Sequence, residues 1–208
     1  MFNLKLFSYE ECPPEAFRFR YSVYVEELAR PQKYADHDAK TIIDPMDRTA
    51  HHGVAYKNEH IAAVIRLNFV RDGNVDPYYD FYEINRLSLE EQAVSCICTR
   101  NMVGAAHRNT PLAYRMLKLM YELAIENGAR ICFIDVNEPL VPMFKKLGCR
   151  PVMEKQHDDY GLVTIMRLDG LDLDHLIKVR SPFTPICRRF LKRTEGMPVQ
   201  PEQHIAAE

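Results

Sequence analysis

Residues 111–136 constrain the fold more than any other part of the chain. Leu112, Ala113, Met116, Leu117, Met120, Leu123 and Ala124 recur on one helical face, with Arg115, Lys118, Glu122 and Glu126 on the other. Asn127-Gly128 supplies a stop for that helix. Ile131-Cys132-Phe133-Ile134-Asp135-Val136 follows at once, short and almost wholly apolar. A strand of that composition is covered on both faces, so it belongs inside a sheet with helices packed against it.

The rest of the chain builds around this unit. Residues 2–7 alternate as a strand, and Pro13-Pro14 opens a helix carrying Phe17, Tyr21, Tyr24, Val25 and Leu28 at helical spacing. Pro31 ends it and begins a loop to Lys40. Residues 50–56 and 61–69 read as an antiparallel hairpin about Lys57-Asn58-Glu59-His60. The Asp72-Gly73-Asn74 turn and the Asp76-Pro77 break lead to a third strand-like run over residues 82–89. Residues 95–107 read as strand then loop, residues 140–147 as a helix ended by Gly148, and residues 151–154 and 162–168 as two further strands. The order predicts an α/β fold with a mixed, mostly antiparallel central sheet flanked by helices. One domain is expected over residues 1–170. Residues 171–208 form a C-terminal basic extension with Lys178, Arg180, Arg188, Arg189, Lys192 and Arg193, then a polar tail.

Composition narrows the class. A length of 208 residues with 47% hydrophobic residues supports one sizeable core. The net charge of −2 excludes a globally basic nucleic-acid binder. No apolar run approaches the ~20 residues of a membrane span, and residues 1–7 lack the features of a signal peptide. A cytoplasmic protein is therefore expected. Of the six cysteines, Cys96 and Cys98 form C-x-C rather than C-x-x-C, so reduced thiols are expected. His51-His52 would point to opposite faces of a strand, and no metal is expected.

Arg108-Asn109-Thr110-Pro111-Leu112-Ala113 lies just ahead of the strongest helix. Free N–H groups there suit the phosphates of a pantetheine carrier, although the same residues also make an ordinary well-capped helix. Residues 108–152 resemble the acyl-donor motif of the GNAT superfamily, R-x-x-G-x-G/A followed by helix, glycine, apolar strand and Asn. Here it reads Arg108…Ala113, Gly128, residues 131–136, Asn137 and Lys146-Leu147-Gly148-Cys149-Arg150-Pro151. Pro111 stands where the motif has its first glycine. Upstream, Arg20-x-x-Val23-Tyr24, Asp44-x-x-Asp47, Arg66 and Glu83-x-x-Arg86 occur in the order found in acyl-homoserine-lactone synthases and long-chain N-acyl amino acid synthases. The absence of tryptophan and the stretch Asp135-Val136-Asn137-Glu138-Pro139 favour the second group.

The resemblance implies a GNAT-like (acyl-CoA N-acyltransferase) fold and transfer of a medium or long acyl chain to the amine of an amino acid or related molecule. The donor would be acyl carrier protein or acyl-CoA, with no permanently bound cofactor. It also implies Glu83 as general base, its alternative being an ion pair with Arg86 or Arg66. Arg86 and Arg66 would hold an acceptor carboxylate, or join Asp44, Asp47 and Arg20 in a structural network. Asn137 would lie at the substrate, and the basic extension could dock an acidic carrier protein. Three other readings stay open: lactone synthesis from S-adenosylmethionine, acetyl transfer from acetyl-CoA, and a non-catalytic binding module.

Overall fold

A computed structural model describes residues 1–76 and 78–194. β1 (Asn3–Phe7) precedes α1 (Pro14–Tyr21), which runs on through a π turn over Ser22–Glu27. The loop that follows contains a small ribbon, β2 (Ala35–Asp36) with β3 (Thr41–Ile42). β4 (His51–Lys57) and β5 (His60–Phe69) form the expected hairpin, with Asn58 and Glu59 both at positive φ as a two-residue turn requires. The short helices α2 (Tyr78–Phe81) and α3 (Leu89–Ala93) lead to β6 (Ser95–Val103). α4 (Leu112–Glu126), β7 (Ile131–Val136) and α5 (Val141–Leu147) come next. β8 (Arg150–His157), β9 (Gly161–Asp169), α6 (Leu173–Lys178) and α7 (Thr184–Thr194) complete the described chain.

Seven strands make one sheet in the order β1-β4-β5-β6-β7-β9-β8, and only β6 and β7 run parallel. One face is covered by α4, whose Leu112, Met116, Leu117, Met120 and Ala124 are buried as the periodicity predicts. α1 covers part of the other face with Phe17, Tyr21 and Tyr24 over Val54 and Val64. A third cluster gathers Tyr78, Tyr82 and Ile84 against Ile97, Phe133 and Ile165.

Two expectations are corrected. Residues 82–89 are not a strand: Glu83 adopts φ 56°, a 3-10 turn spans Ile84–Arg86, and Ser88 caps α3. The Ser88 hydroxyl accepts from the Glu91 N–H at 3.2 Å while the Glu91 carboxylate accepts from the Ser88 N–H, a capping box that outweighs the alternation of Tyr82 and Ile84. Of the Asp76-Pro77 break, Pro77 lies outside the described residues. The boundary at residue 170 does not divide the core either. Leu176, Phe183, Ile186, Cys187 and Phe190 share the core with α4, and Phe183 stacks on Tyr121 at 4.4 Å. The polar tail from Glu195 lies outside the described residues.

Gly148 ends α5 at φ 109°. A Cβ there would sit 2.6 Å from Leu176 Cδ2 and 3.3 Å from Leu168 Cδ1. Gly148→Ala is expected to destabilise the protein by about 2 kcal/mol, combining left-handed strain with overpacking, as read by urea denaturation.

Candidate active site

A buried ion network ties α1 and the loop after it to the sheet. Arg20 of α1 donates to Asp47 at 2.7 Å. Arg66 of β5 donates to Asp44 at 2.5 Å and to Asp47 at 3.0 Å. Asp44 and Asp47 bracket a tight turn held by reciprocal bonds, Met46 N–H to Asp44 at 3.0 Å and Asp44 N–H to Asp47 at 2.8 Å. Arg100 of β6 completes the network, donating to Asp44 at 2.9 Å and to Gln32 and the Tyr160 hydroxyl at 2.8 Å each. Burial alone would raise both carboxyls, but Arg66 with Arg100 holds Asp44 below its usual range, and Arg66 with Arg20 does so for Asp47. His52 accepts from Arg20 at 3.1 Å and faces the Asp47 carbonyl at 3.0 Å, so it is neutral with its proton on Nε2. Burial, reinforced by the Arg20 charge, pushes it down to about 4.

Arg66 lies wholly within this network. Its side chain is fully buried and bound to carboxylates, so it does not reach an acceptor. Arg86 takes no part. It is exposed at the surface and pairs with Glu83 at 2.7 Å. Arg100 fills the place assigned to Arg86, and the position three residues before it is the buried Ile97.

β6 and β7 pair only over Ser95–Ile131, Cys96–Cys132 and Ile97–Phe133, then part. The cause is a bulge in β6. Ile65 of β5 faces both Arg100 and Asn101, because the register jumps from Arg66–Thr99 to Val64–Met102, and Arg100 takes φ 56°. The gap widens into a cleft of about 530 Å³, within the range of small-molecule sites. Residues 98–103 form one wall and residues 134–137 the other, with Tyr24, Met143, Phe144 and Tyr160 closing it. Asn137 lines the cleft and donates to the Tyr160 carbonyl at 3.2 Å. Past Cys98, Ile134 and Phe144 the cleft borders a small apolar cavity of about 40 Å³ under α4. On its polar side it shares Tyr78 and Arg100 with a second cavity of about 210 Å³, which Lys33, Tyr34, Asp44 and His157 also line.

Glu83 does not line the cleft. Its carboxylate bonds to Lys155 at 3.0 Å and to Arg86, and the Lys155 bond, aided by Arg86, holds its pKa below the usual range. Paired in this way and outside the cleft, the Glu83 carboxylate does not face an amine held there. Glu83→Gln is expected to leave steady-state activity within about threefold of wild type.

The cleft opens toward the start of α4. Arg108 lines it, donates to the Val103 carbonyl at 3.1 Å and forms an ion pair with Glu27 across the mouth. Asn109 is exposed, and the Thr110 hydroxyl accepts from the Leu112 N–H at 3.4 Å. Leu112 buries its side chain in the core, so only its backbone belongs to the mouth, whereas Ala113 lines the cleft. Pro111 sits at the N-cap rather than in the first turn. The first-turn N–H groups therefore begin beyond it, and the missing proline N–H removes none of them. On the basic extension, Arg189 pairs with Glu122 at 3.1 Å and Arg193 with Glu126, while Lys178, Arg180, Arg188 and Lys192 are exposed.

Sequence pattern did not single out Arg100, Tyr78 or Tyr160, and it marked Asp135 only as part of a family-like stretch, with no role. Their significance lies in contacts between distant segments, and no local motif marks them.

The mixed seven-stranded sheet flanked by helices is a GNAT-like fold. The family model described as N-acyl amino acid synthase FeeM matches residues 15–169, and the chain belongs to that family. Comparison with curated proteins returns no match. Among solved structures, FeeM itself, an N-acyl amino acid synthase from uncultured soil microbes, superimposes with TM-score 0.66 at 12% identity, over 86% of this chain and 98% of that one. MesI, a CoA-dependent acyl-homoserine lactone synthase, gives 0.66 at 17% identity, over 95% and 97%. Escherichia coli ElaA gives 0.58 at 17%, over 81% and 99%. At these identities the structures establish the fold.

Proposed function

We propose that the protein moves an acyl group from a phosphopantetheine thioester, on acyl carrier protein or coenzyme A, to the amine of an amino acid or related small molecule. The parting of β6 and β7 is the observation that carries this reading. It leaves strand-edge backbone groups of β6 beyond Ile97 without a β7 partner, beside a cleft of about 530 Å³. The carrier's phosphate sits at the mouth, near Arg108, Asn109, Thr110 and the N–H groups of Leu112 and Ala113. The thioester carbonyl lies beside residues 98–101, where N–H groups of the bulged strand stabilise the oxyanion. The acyl chain runs along the apolar wall of Met143 and Phe144 toward the cavity under α4. The acceptor enters through the cavity shared by Tyr78 and Arg100. Arg20, Asp44, Asp47 and Arg66 hold that wall in place, and Asn137 orients the turn bearing Tyr160. The exposed Lys178, Arg180, Arg188 and Lys192 offer an acidic carrier protein a docking face.

The test is incubation of the purified protein with long-chain acyl carrier protein or acyl-CoA and a pool of amino acids, with and without S-adenosylmethionine. Loss of acyl mass from the donor together with an N-acyl amino acid is the expected result. Turnover only with S-adenosylmethionine would indicate lactone synthesis. Absence of transfer from every donor would sink the reading.

A further inference from the structure

An amine enters the site mostly as an ammonium ion and must lose a proton before it can attack. Glu83 is outside the cleft and Ile97 precedes Arg100 at the spacing where a glutamate would be needed, so the proton requires another receiver. Among the described residues lining the cleft, the charged ones are Arg30, Arg100, Arg108 and Asp135, which makes Asp135 the single carboxylate there. The adjoining cavity has the carboxylates of Asp44, Asp76, Asp158 and Asp159 in its lining; Asp44 is engaged by Arg66 and Arg100, and the other three do not line the cleft itself.

Asp135 stands on β7 two residues beyond Phe133, on the same face of the sheet, and is half-buried. No Lys, Arg or His nitrogen among the described residues lies within 4.0 Å of it. One oxygen accepts a hydrogen bond from the Tyr82 hydroxyl. Among the described residues the other has no hydrogen-bond partner, and it is not buried. Tyr82 is itself fixed: it is 2% exposed and stacks on Phe133 at 6.1 Å with the rings 20° apart. Burial and the Asp135 charge push its hydroxyl far above the ordinary range, so it stays a donor. Other titratable residues lining the cleft include Tyr78 at the start of α2, Cys98 and Arg100 on β6, and Tyr160 before β9, with Tyr24, Arg30 and Arg108 completing the set. Burial raises Tyr78, Cys98 and Tyr160 too, and Arg100 stays charged. None of them titrates where a carboxylate does.

We infer that Asp135 is the general base of the transfer and Tyr82 its positioning residue, an assignment that rests on the aminolysis reading above. The free Asp135 oxygen takes one proton from the ammonium. The nitrogen lone pair then forms the N–C bond at the thioester carbonyl. As the tetrahedral intermediate collapses, the C–S bond breaks, and the second N–H proton passes to the departing sulfur. Asp135 returns its proton to solvent. The balance is thioester plus ammonium giving amide, thiol and one proton.

The test is the pH–rate profile of wild type, Asp135→Asn and Tyr82→Phe with a donor and an amine that the wild type uses. Asp135→Asn is expected to lower kcat at neutral pH by at least about 100-fold, with the donor KM within about threefold. Its rate should climb with pH toward the amine pKa, because neutral amine must then come from solution. Tyr82→Phe is expected to lower kcat about tenfold with the donor KM within about threefold, and to cause no further loss in the Asp135→Asn background. A merely structural tyrosine would change the melting temperature and lower the rate of Asp135→Asn as well. If Asp135→Asn folds poorly, Asp135→Ala with added formate replaces it, and recovery of rate with formate supports the assignment. Wild-type kcat and an unchanged profile in Asp135→Asn would overturn it while leaving the acyl transfer itself standing. A wild type that transfers no acyl group from any thioester would remove both.

Discussion

Asp47→Asn is expected to destabilise the folded protein by about 3–5 kcal/mol, the effect of removing one partner from a buried ion pair. Asp47 is fully buried between the guanidiniums of Arg20 and Arg66, 2.7 and 3.0 Å away. Asparagine keeps the shape but leaves two buried cations facing a neutral amide, with Asp44 alone to compensate. Replacing the whole network with apolar residues would cost less than this single change, because no buried charge would then be left without its partner. The pH dependence carries the same signature. Asp44 and Asp47 have folded pKa values below their unfolded ones. They contribute stability above about pH 4 that is lost as pH falls further. His52, depressed from 6.5 to about 4, adds an earlier loss across that interval. Urea denaturation of wild type between pH 7 and 3 should show both phases, and Asp47→Asn should start lower with a shallower final phase. A variant within 1 kcal/mol of wild type at pH 7, as a rough bound, would show that the network is not what anchors the segment after α1.

Ala113→Trp is expected to reduce kcat/KM by at least about 100-fold, because the indole would occupy the path of the pantetheine arm. Ala113 lines the cleft in the first turn of α4 and is half-buried, so the added ring projects into open space rather than into the core. The melting temperature should therefore change by only a few degrees. The chain has no tryptophan, so the substituted residue would provide the sole indole emission, and its response to donor reports directly on the cleft. Unchanged kcat/KM would mean that the donor does not enter beside α4.

The α4–β7 unit was legible in sequence because helical and buried-strand periodicities are local and strong. The β4–β5 hairpin and the Gly148 stop were legible for the same reason. Residues 82–89 were misread because Tyr82 and Ile84 alternate like a strand, while the turn at Glu83 that sends both into one cluster has no strong composition signal; the Ser88–Glu91 capping box was the available clue. The basic residues after position 170 obscured an apolar face, Ile186, Cys187 and Phe190, at helical spacing. At the site, the resemblance to the synthase families pointed to Arg20, Asp44, Asp47 and Arg66 as a group. Arg100 was not among them; it meets Asp44 across 56 positions. Asp135 meets Tyr82 across 53. A Glu-x-x-Arg match at residues 83–86 was the stronger local pattern, yet the bulge in β6 is what puts an arginine into the network.

The most direct measurement is a crystal structure with a thioether analogue of acyl-phosphopantetheine, in which a methylene inserted between carbonyl and sulfur blocks transfer. The account predicts the pantetheine arm between β6 and β7, its phosphate at the start of α4 and its carbonyl beside residues 98–101 with Asp135 across the gap. Density for the analogue elsewhere, with the β6–β7 cleft empty, would contradict it.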